Sequence, residues 1–293
     1  MTTNTKKSFH DKWHNNQQLA FSETNCEDSE IFQWILNRNG FANIVELQNF
    51  LSRKRRILDA GCGNGRITAL LRANSDPAMV EVVAIDLVAA SIADKNLAQY
   101  KNLSVREADL LGDLTSLGEF DFIYCQEVLH HTSDPRRAFQ NLVNLLLPGG
   151  EIAIYVYCRK APPREFVDDF VRNKIAEMPY EESIQHCKQI AELGRVLSEL
   201  NVKVSIPKVE LLEIEEGEYD IQRFIYHFFM KCFWNQRLTP EENAAINYDW
   251  YHPQDCTRHT IEEIRQWFDN PGLKIVHESK DFYGITIRGL AQT

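Results

Sequence analysis

Residues 56–66 read RILDAGCGNGR, an apolar run that stops at Asp59 and then turns through Gly61, Gly63 and Gly65. Glycines in this pattern permit a tight bend and let backbone amides approach a ligand closely. The next apolar run, residues 80–86 (VEVVAID), ends on Asp86. A glycine bend after one strand and an acid closing the next describe a nucleoside site at the carboxyl edge of a parallel sheet. The glycines alone fit a tight turn in any nucleotide fold. Asp59 narrows the choice: a carboxylate there repels a phosphate but suits an ammonium or a ribose hydroxyl. That favours an amino-acid nucleoside over NAD and disfavours a NAD-dependent oxidoreductase.

Working outward, strand and helix patterns alternate. Residues 56–60, 80–86, 103–107, 120–125 and 151–157 read as five strands, and 65–74, 88–98 and 135–146 as helices between them. Near-continuous apolar strands separated by helices predict a parallel sheet covered on both faces. Residues 29–38 and 43–53 read as two short amphipathic helices before this core, and Phe9 and Trp13 share one helix face. After residue 157 the pattern changes. Residues 160–235 read as three or four helices with a break at 203–209, and 236–257 as irregular. Thr260 and Glu263 form a capping box at the start of another helix. Residues 273–279 and 282–288 give two last strands, which return to the sheet beside the fifth as an edge hairpin. The expected fold is therefore α/β: a Rossmann-like, seven-stranded, mostly parallel sheet with an antiparallel last strand, N-terminal helices and a helical insertion after strand five. The expected divisions are an N-terminal helical extension (1–54), a nucleoside-binding core (55–158), a helical insertion serving as substrate lid (159–257), and a C-terminal helix with two strands (258–293).

The chain has 293 residues, with 42 acids against 32 bases and a net charge of −10. This balance argues against a broad nucleic-acid surface, which requires a basic stripe. The first ten residues carry no apolar signal core and no run reaches a membrane span, so a cytoplasmic protein without a membrane partner is expected. Seven scattered cysteines include no C-x-x-C pair, and no spaced histidine or acid–histidine motif is present. No metal site is expected. The sequence leaves the oligomeric state open.

The ordered set of segments resembles the class I S-adenosylmethionine-dependent methyltransferases, specifically the small-molecule branch. It comprises LDAGCGNG at 58–65, Asp86, the ADL step at 108–110, and FDFIYCQEVLHHTSDP at 120–135. The resemblance covers 56–157 closely and 258–289 loosely. It implies that Asp59, Gly61, Cys62, Gly63, Asn64 and Gly65 border the methionine part of S-adenosylmethionine. It further implies that Asp86 holds the ribose, that Leu87 packs near the adenine, and that Asp109, with Ala108 and Leu110 beside it, meets the adenine amino group. Gln126 and Glu127 would lie beside the methionine moiety and the sulfonium. The implied reaction is methyl transfer to a small metabolite or natural-product intermediate held under the lid. The rivals are a tRNA or protein methyltransferase and a non-catalytic cofactor-binding partner subunit.

Acceptor-side candidates come from the residues themselves. His130 and His131 follow the fourth strand; one serves as a base or donor and the other packs, with His131 nearer the next helix entry. Tyr155 and Tyr157 share a strand face, and Tyr157 stands at the carboxyl end. The aromatic-rich segment 223–234 offers Tyr226 and His227, although a packed lid helix explains most of its rings. Tyr248, Trp250, Tyr251, His252 and Arg258 are expected in a recognition loop before a helix, where an arginine suits a carboxylate or phosphate. The acidic run 213–220 reads most simply as a solvated face near a helix start.

Overall fold

The computed structural model describes residues 1–292. The chain divides into two compact units, one of Met1, Gln17–Cys158 and the segment from Thr257 onward, the other of Thr2–Asn16 and Arg159–Cys256. In chain order the strands are β1 (Arg56–Ala60), β2 (Glu81–Asp86), β3 (Leu103–Glu107), β4 (Phe120–Gln126), β5 (Leu146–Tyr157), β6 (Lys203–Ile206), β7 (Gly217–Asp220), β8 (Lys274–Lys280) and β9 (Gly284–Leu290).

In the first unit seven strands form one sheet in the order β3-β2-β1-β4-β5-β9-β8. The contacts β1·β2, β1·β4, β2·β3 and β4·β5 are parallel, whereas β9 runs antiparallel to both β5 and β8. The last strand alone is reversed, because a short hairpin joins β8 to β9. Ile57, Leu58, Val83, Ile85 and Ile123 are fully buried, as required of strands sandwiched between helical layers. Helices Glu30–Arg38, Ile44–Leu51 and Arg66–Ala73 present Phe32, Leu36, Leu51, Ile67 and Leu70 to one face. Helices Pro135–Val143 and Ile261–Asp269 present Phe139, Leu142, Ile264 and Phe268 to the other. Burial of each such side chain is worth about 1.5–3 kcal/mol. The Thr260–Glu263 capping box forms, with amide-to-side-chain bonds of 3.2 and 2.9 Å.

The second unit contains helices Thr3–Asn15, Pro162–Ile175, Tyr180–Glu199, Ile221–Phe228 and Pro240–Tyr251, with an antiparallel ribbon of β6 and β7. Two expectations are corrected here, while the acidic run stays largely exposed before a helix start as expected. The break at 203–209 contains a strand rather than a simple interruption. The acidic run ends in β7, and Asp220 then caps the following helix by accepting the Arg223 amide at 3.1 Å. The segment expected to be irregular contains the twelve-residue helix Pro240–Tyr251, started by Pro240 and a Thr239–Glu242 capping box. It shows no amphipathic period because it is buried nearly all round, from Asn243, Ala244 and Ala245 to Tyr248, Trp250 and Tyr251.

The N-terminal residues also part company. Thr2–Asn16 belongs to the second unit, where Lys12 pairs with Asp249 at 2.8 Å and Ser8 Oγ lies 2.7 Å from His252 Nδ1. These are contacts over more than two hundred residues, invisible to any local pattern.

Candidate active site

The first unit assembles its site from strand ends. β1 leads into the bend, where Gly61, Gly63 and Gly65 have φ of 86°, 55° and 87°. The Gly61 and Cys62 amides both donate to the Ile85 carbonyl, at 2.8 and 2.9 Å, fastening the bend to β2. A side chain at Gly61 would run into Val128, so this position needs glycine for space as well as for its left-handed backbone. The helix Arg66–Ala73 begins directly after the bend.

Asp86 ends β2 with its carboxylate already oriented. Oδ2 accepts the Gly63 amide at 2.9 Å, and Oδ1 accepts the Val88 and Ala89 amides at 2.9 and 2.8 Å. A carboxylate offers about four acceptor sites, so a ribose hydroxyl finds one open and shares another. Leu87 is half-buried beside it. The Ala108 amide donates to the Asp86 carbonyl at 3.2 Å, bringing the end of β3 alongside. Asp109 is exposed and bonds only the Leu111 amide through Oδ1, at 2.9 Å, among the contacts found. Leu110, beside it, is buried in the main core.

Asp59 is buried, and its Oδ2 accepts the Thr68 hydroxyl at 2.6 Å. Burial raises its carboxyl to about 7; the Thr68 bond opposes this and the nearby Asp86 charge adds to it. Cys62 is packed with Ala69, Ala84, Ala93 and Leu97, and burial holds its thiol well above the usual range. Asn64 has a structural role: its Nδ2 donates to the Gln17 and Leu19 carbonyls at 3.2 and 3.1 Å, tying an N-terminal segment to the bend.

At the end of β4, Gln126 Oε1 accepts the Tyr124 hydroxyl, while Gln126 Nε2 is buried without a hydrogen-bond partner. Glu127 adopts φ of 59°, a strained value for a side-chain-bearing residue, and its carboxylate pairs with Arg66 at 3.0 Å. Arg66 was within the diagnostic stretch but carried no signal of this partnership.

The sequence reading also missed Arg38. Its guanidinium is 3% exposed, lying 3.7 Å from the Trp34 ring centre and 4.1 Å from that of Tyr155. None of its nitrogens has a hydrogen-bond partner, and its charge reaches the neighbouring Tyr124 hydroxyl. A buried cation held mainly by aromatic faces and the nearby Tyr124 hydroxyl is costly. Nothing in a helix sequence distinguishes such an arginine from a solvated one.

A second group of candidates gathers after β4 and β5. His130 and His131 lie in the turn Leu129–His131, both buried. The His130 ring is 3.7 Å from that of Tyr157 and 4.3 Å from that of His131. Tyr157 thus contacts both histidines. Thr257 and His259 donate their amides to the carbonyls of His130 and Tyr157, both at 2.9 Å, which brings the intervening, half-buried Arg258 to the same strand ends.

The remaining candidates belong to the second unit. Tyr226 and His227 lie on the helix Ile221–Phe228. Tyr248, Trp250 and Tyr251 are helical, correcting the expected loop, and His252 caps the same helix. Trp250 Nε1 and the Tyr251 hydroxyl both donate to Asp168 at 2.8 Å, and Tyr248 stacks on His252 with ring centres 4.5 Å apart. His252 Nε2 lies 3.0 Å from the Met178 carbonyl. Much of this group's bonding capacity is thus used inside its own unit. Among the described residues, no helix is long and apolar enough to cross a membrane.

Comparison with known proteins places this geometry. A family model described as a methyltransferase domain matches residues 51–201. An uncharacterized protein of a Synechococcus strain is 32% identical over 228 residues, which cover 74% of this chain and 47% of that protein. A ubiquinone biosynthesis O-methyltransferase of Coxiella burnetii is 31% identical over 109 residues, covering 36% of this chain and 44% of its own length. The chain therefore spans less than half the length of these curated relatives. The N-methyltransferase NodS of Bradyrhizobium japonicum, solved with S-adenosyl-L-homocysteine, matches 99% of this chain and 100% of its own with a TM-score of 0.52. At 14% identity, that likeness shows a common fold.

Proposed function

The chain belongs to the methyltransferase-domain family, and from that premise we propose that it transfers the methyl group of S-adenosylmethionine to a small metabolite or natural-product intermediate. The observation that carries this reading is the pre-set Asp86 carboxylate on the glycine bend, with the Gln126 donor at the end of β4 and the Arg38 guanidinium, from the end of the helix Glu30–Arg38, against Tyr155 of β5. Ribose hydroxyls, an α-carboxylate and an adenine amino group are the chemistry these residues fit. Asp86 takes the ribose, with Leu87 near the adenine and Asp109 at its amino group. Arg38 and Gln126 take the carboxylate. Asp59, near neutrality in the free protein, ionises beside a bound cation. Glu127 remains tied to Arg66 and shapes the bend from the other side.

When bound, the donor supplies an electrophilic methyl carbon on a sulfonium. The chain's task is to hold an acceptor atom in line, roughly 3–3.5 Å from that carbon, and to exclude water. An acceptor that must lose a proton needs a base, worth roughly 10² to 10⁴ in rate. His130 and His131 with Tyr157 are the groups we assign to that role; His227, held down to about 3 by burial and neighbouring cations, is too weak a base for it. Acceptor recognition we assign to Arg258, which the Thr257 and His259 amides hold beside His130 and Tyr157. A cytoplasmic setting accords with seven cysteines that are all unpaired thiols.

The test is an incubation of the chain with methyl-labelled donor and fractionated metabolite extract. Label entering a small molecule supports the reading. Label entering tRNA or protein alone, or no label despite tight donor binding, overturns it.

A further inference from the structure

The second unit buries a cluster of cationic side chains. Lys160, Arg164 and Lys231 are 7%, 1% and 5% exposed. Their charged ends lie 5.6, 5.2 and 5.2 Å from the ring centre of Trp250. Arg164 also sits 4.6 Å from the Tyr226 ring centre, and Arg223 sits 5.8 Å from the same ring. The adjacent His227 is held down to about 3, by burial first and then by Arg164, Arg223 and Lys160. These cations come from three separate stretches of a chain whose net charge is −10.

The acids nearby are already engaged. Asp168 is fully buried and accepts from Arg164 Nε at 3.0 Å, Trp250 Nε1 at 2.8 Å, the Tyr251 hydroxyl at 2.8 Å and the Lys231 amide at 2.9 Å. Glu165 accepts the Lys160 amide at 2.6 Å, and Asp220 the Arg223 amide. Arg164 Nη1 and Arg223 Nη1 are buried and have no hydrogen-bond partner. Aromatic faces recover only a fraction of the cost of burying an arginine charge. Two guanidinium groups against one ring, each with a buried Nη1 that makes no hydrogen bond, are the donor half of an anion site.

We propose that Arg164 and Arg223, supported by Lys160 and Lys231, bind an oxyanion, a carboxylate or a phosphate, beside Tyr226 within the second unit.

The full chain, saturated with S-adenosyl-L-homocysteine, is titrated with succinate and separately with inorganic phosphate, and the imidazole signal of His227 is followed by NMR, assigned by its loss in His227→Gln. The expected result is saturable movement of that signal with at least one anion and a rise of its pKa by a unit or more, the stronger response naming carboxylate or phosphate. Arg223→Gln should weaken the response at least tenfold without changing affinity for S-adenosyl-L-homocysteine. Should Arg223→Gln fail to fold, Arg223→Lys should weaken it severalfold, since a point charge lacks the fork. No response to either anion, or equal response in a folded Arg223 variant, overturns the proposal. Anion binding in a chain that does not bind S-adenosyl-L-homocysteine keeps the site and removes the methyl-transfer reading instead.

Discussion

The Gly63 amide donates to Asp86 Oδ2 at 2.9 Å, so the middle of the glycine bend and the end of β2 are held as one piece. With the Val88 and Ala89 amides on its other oxygen, the carboxylate is oriented before any ligand arrives. Such preorganisation lowers the ordering cost of binding.

Gly61 should not tolerate a side chain. Its φ of 86° is strained for alanine, and the new methyl would meet Val128. Gly61→Ala is expected to cost about 2–4 kcal/mol from backbone strain and overpacking together. Adding Val128→Ala should recover the steric part and leave the backbone part. Urea melts of the two variants measure this; a single variant as stable as the parent would remove the argument.

Asp59 should make stability depend on pH in a defined direction. Its folded-state value of about 7 lies above the ordinary 3.8, so the folded chain holds the proton more tightly than the unfolded chain. That stabilisation is full below the ordinary value and is lost as pH rises through about 7. Asp59→Asn keeps an acceptor for Thr68 and removes the titration. Its stability relative to the parent should therefore improve between pH 5 and pH 8, by at most about 3 kcal/mol. Paired melts at the two pH values check this, and a difference that does not change with pH contradicts it.

Arg38 should discriminate between parts of the cofactor. Arg38→Met removes the guanidinium but leaves an apolar stem between Trp34 and Tyr155. Affinity for S-adenosyl-L-homocysteine is expected to fall by about tenfold to a hundredfold, the worth of a charge-assisted contact. Affinity for 5′-methylthioadenosine, which has no carboxylate, should hold. Equal losses for both ligands would show a structural role only.

Asp168 should be the most sensitive acid of the second unit. It is fully buried and receives an arginine, an indole, a phenol and a backbone amide. Asp168→Ala leaves Arg164 buried without its partner and should cost about 3–5 kcal/mol. Limited proteolysis is expected to cut the variant first within 159–256, and an unchanged cleavage pattern would argue against a central role for this residue.

The main sheet and the cofactor edge were legible because their signals are local. An apolar run, an acid and a glycine bend lie within a few residues, and the next strand repeats the acid. Local patterns fail where burial surrounds an element, as in Pro240–Tyr251, whose polar Asn243 and Asn247 are as buried as its rings. They also fail where a function is built from distant positions. Arg38 becomes informative only when Tyr155 closes over it, and Asn64 only when its amide is seen gripping Gln17 and Leu19.

Calorimetric titration of S-adenosyl-L-homocysteine into the chain and into Asp86→Ala tests the cofactor assignment most directly. One saturable site is predicted for the parent. The variant, folded by circular dichroism, should bind about a hundredfold more weakly, as expected for loss of two charge-assisted ribose contacts. A folded parent that takes up no ligand, or a variant with undiminished affinity, would contradict the account.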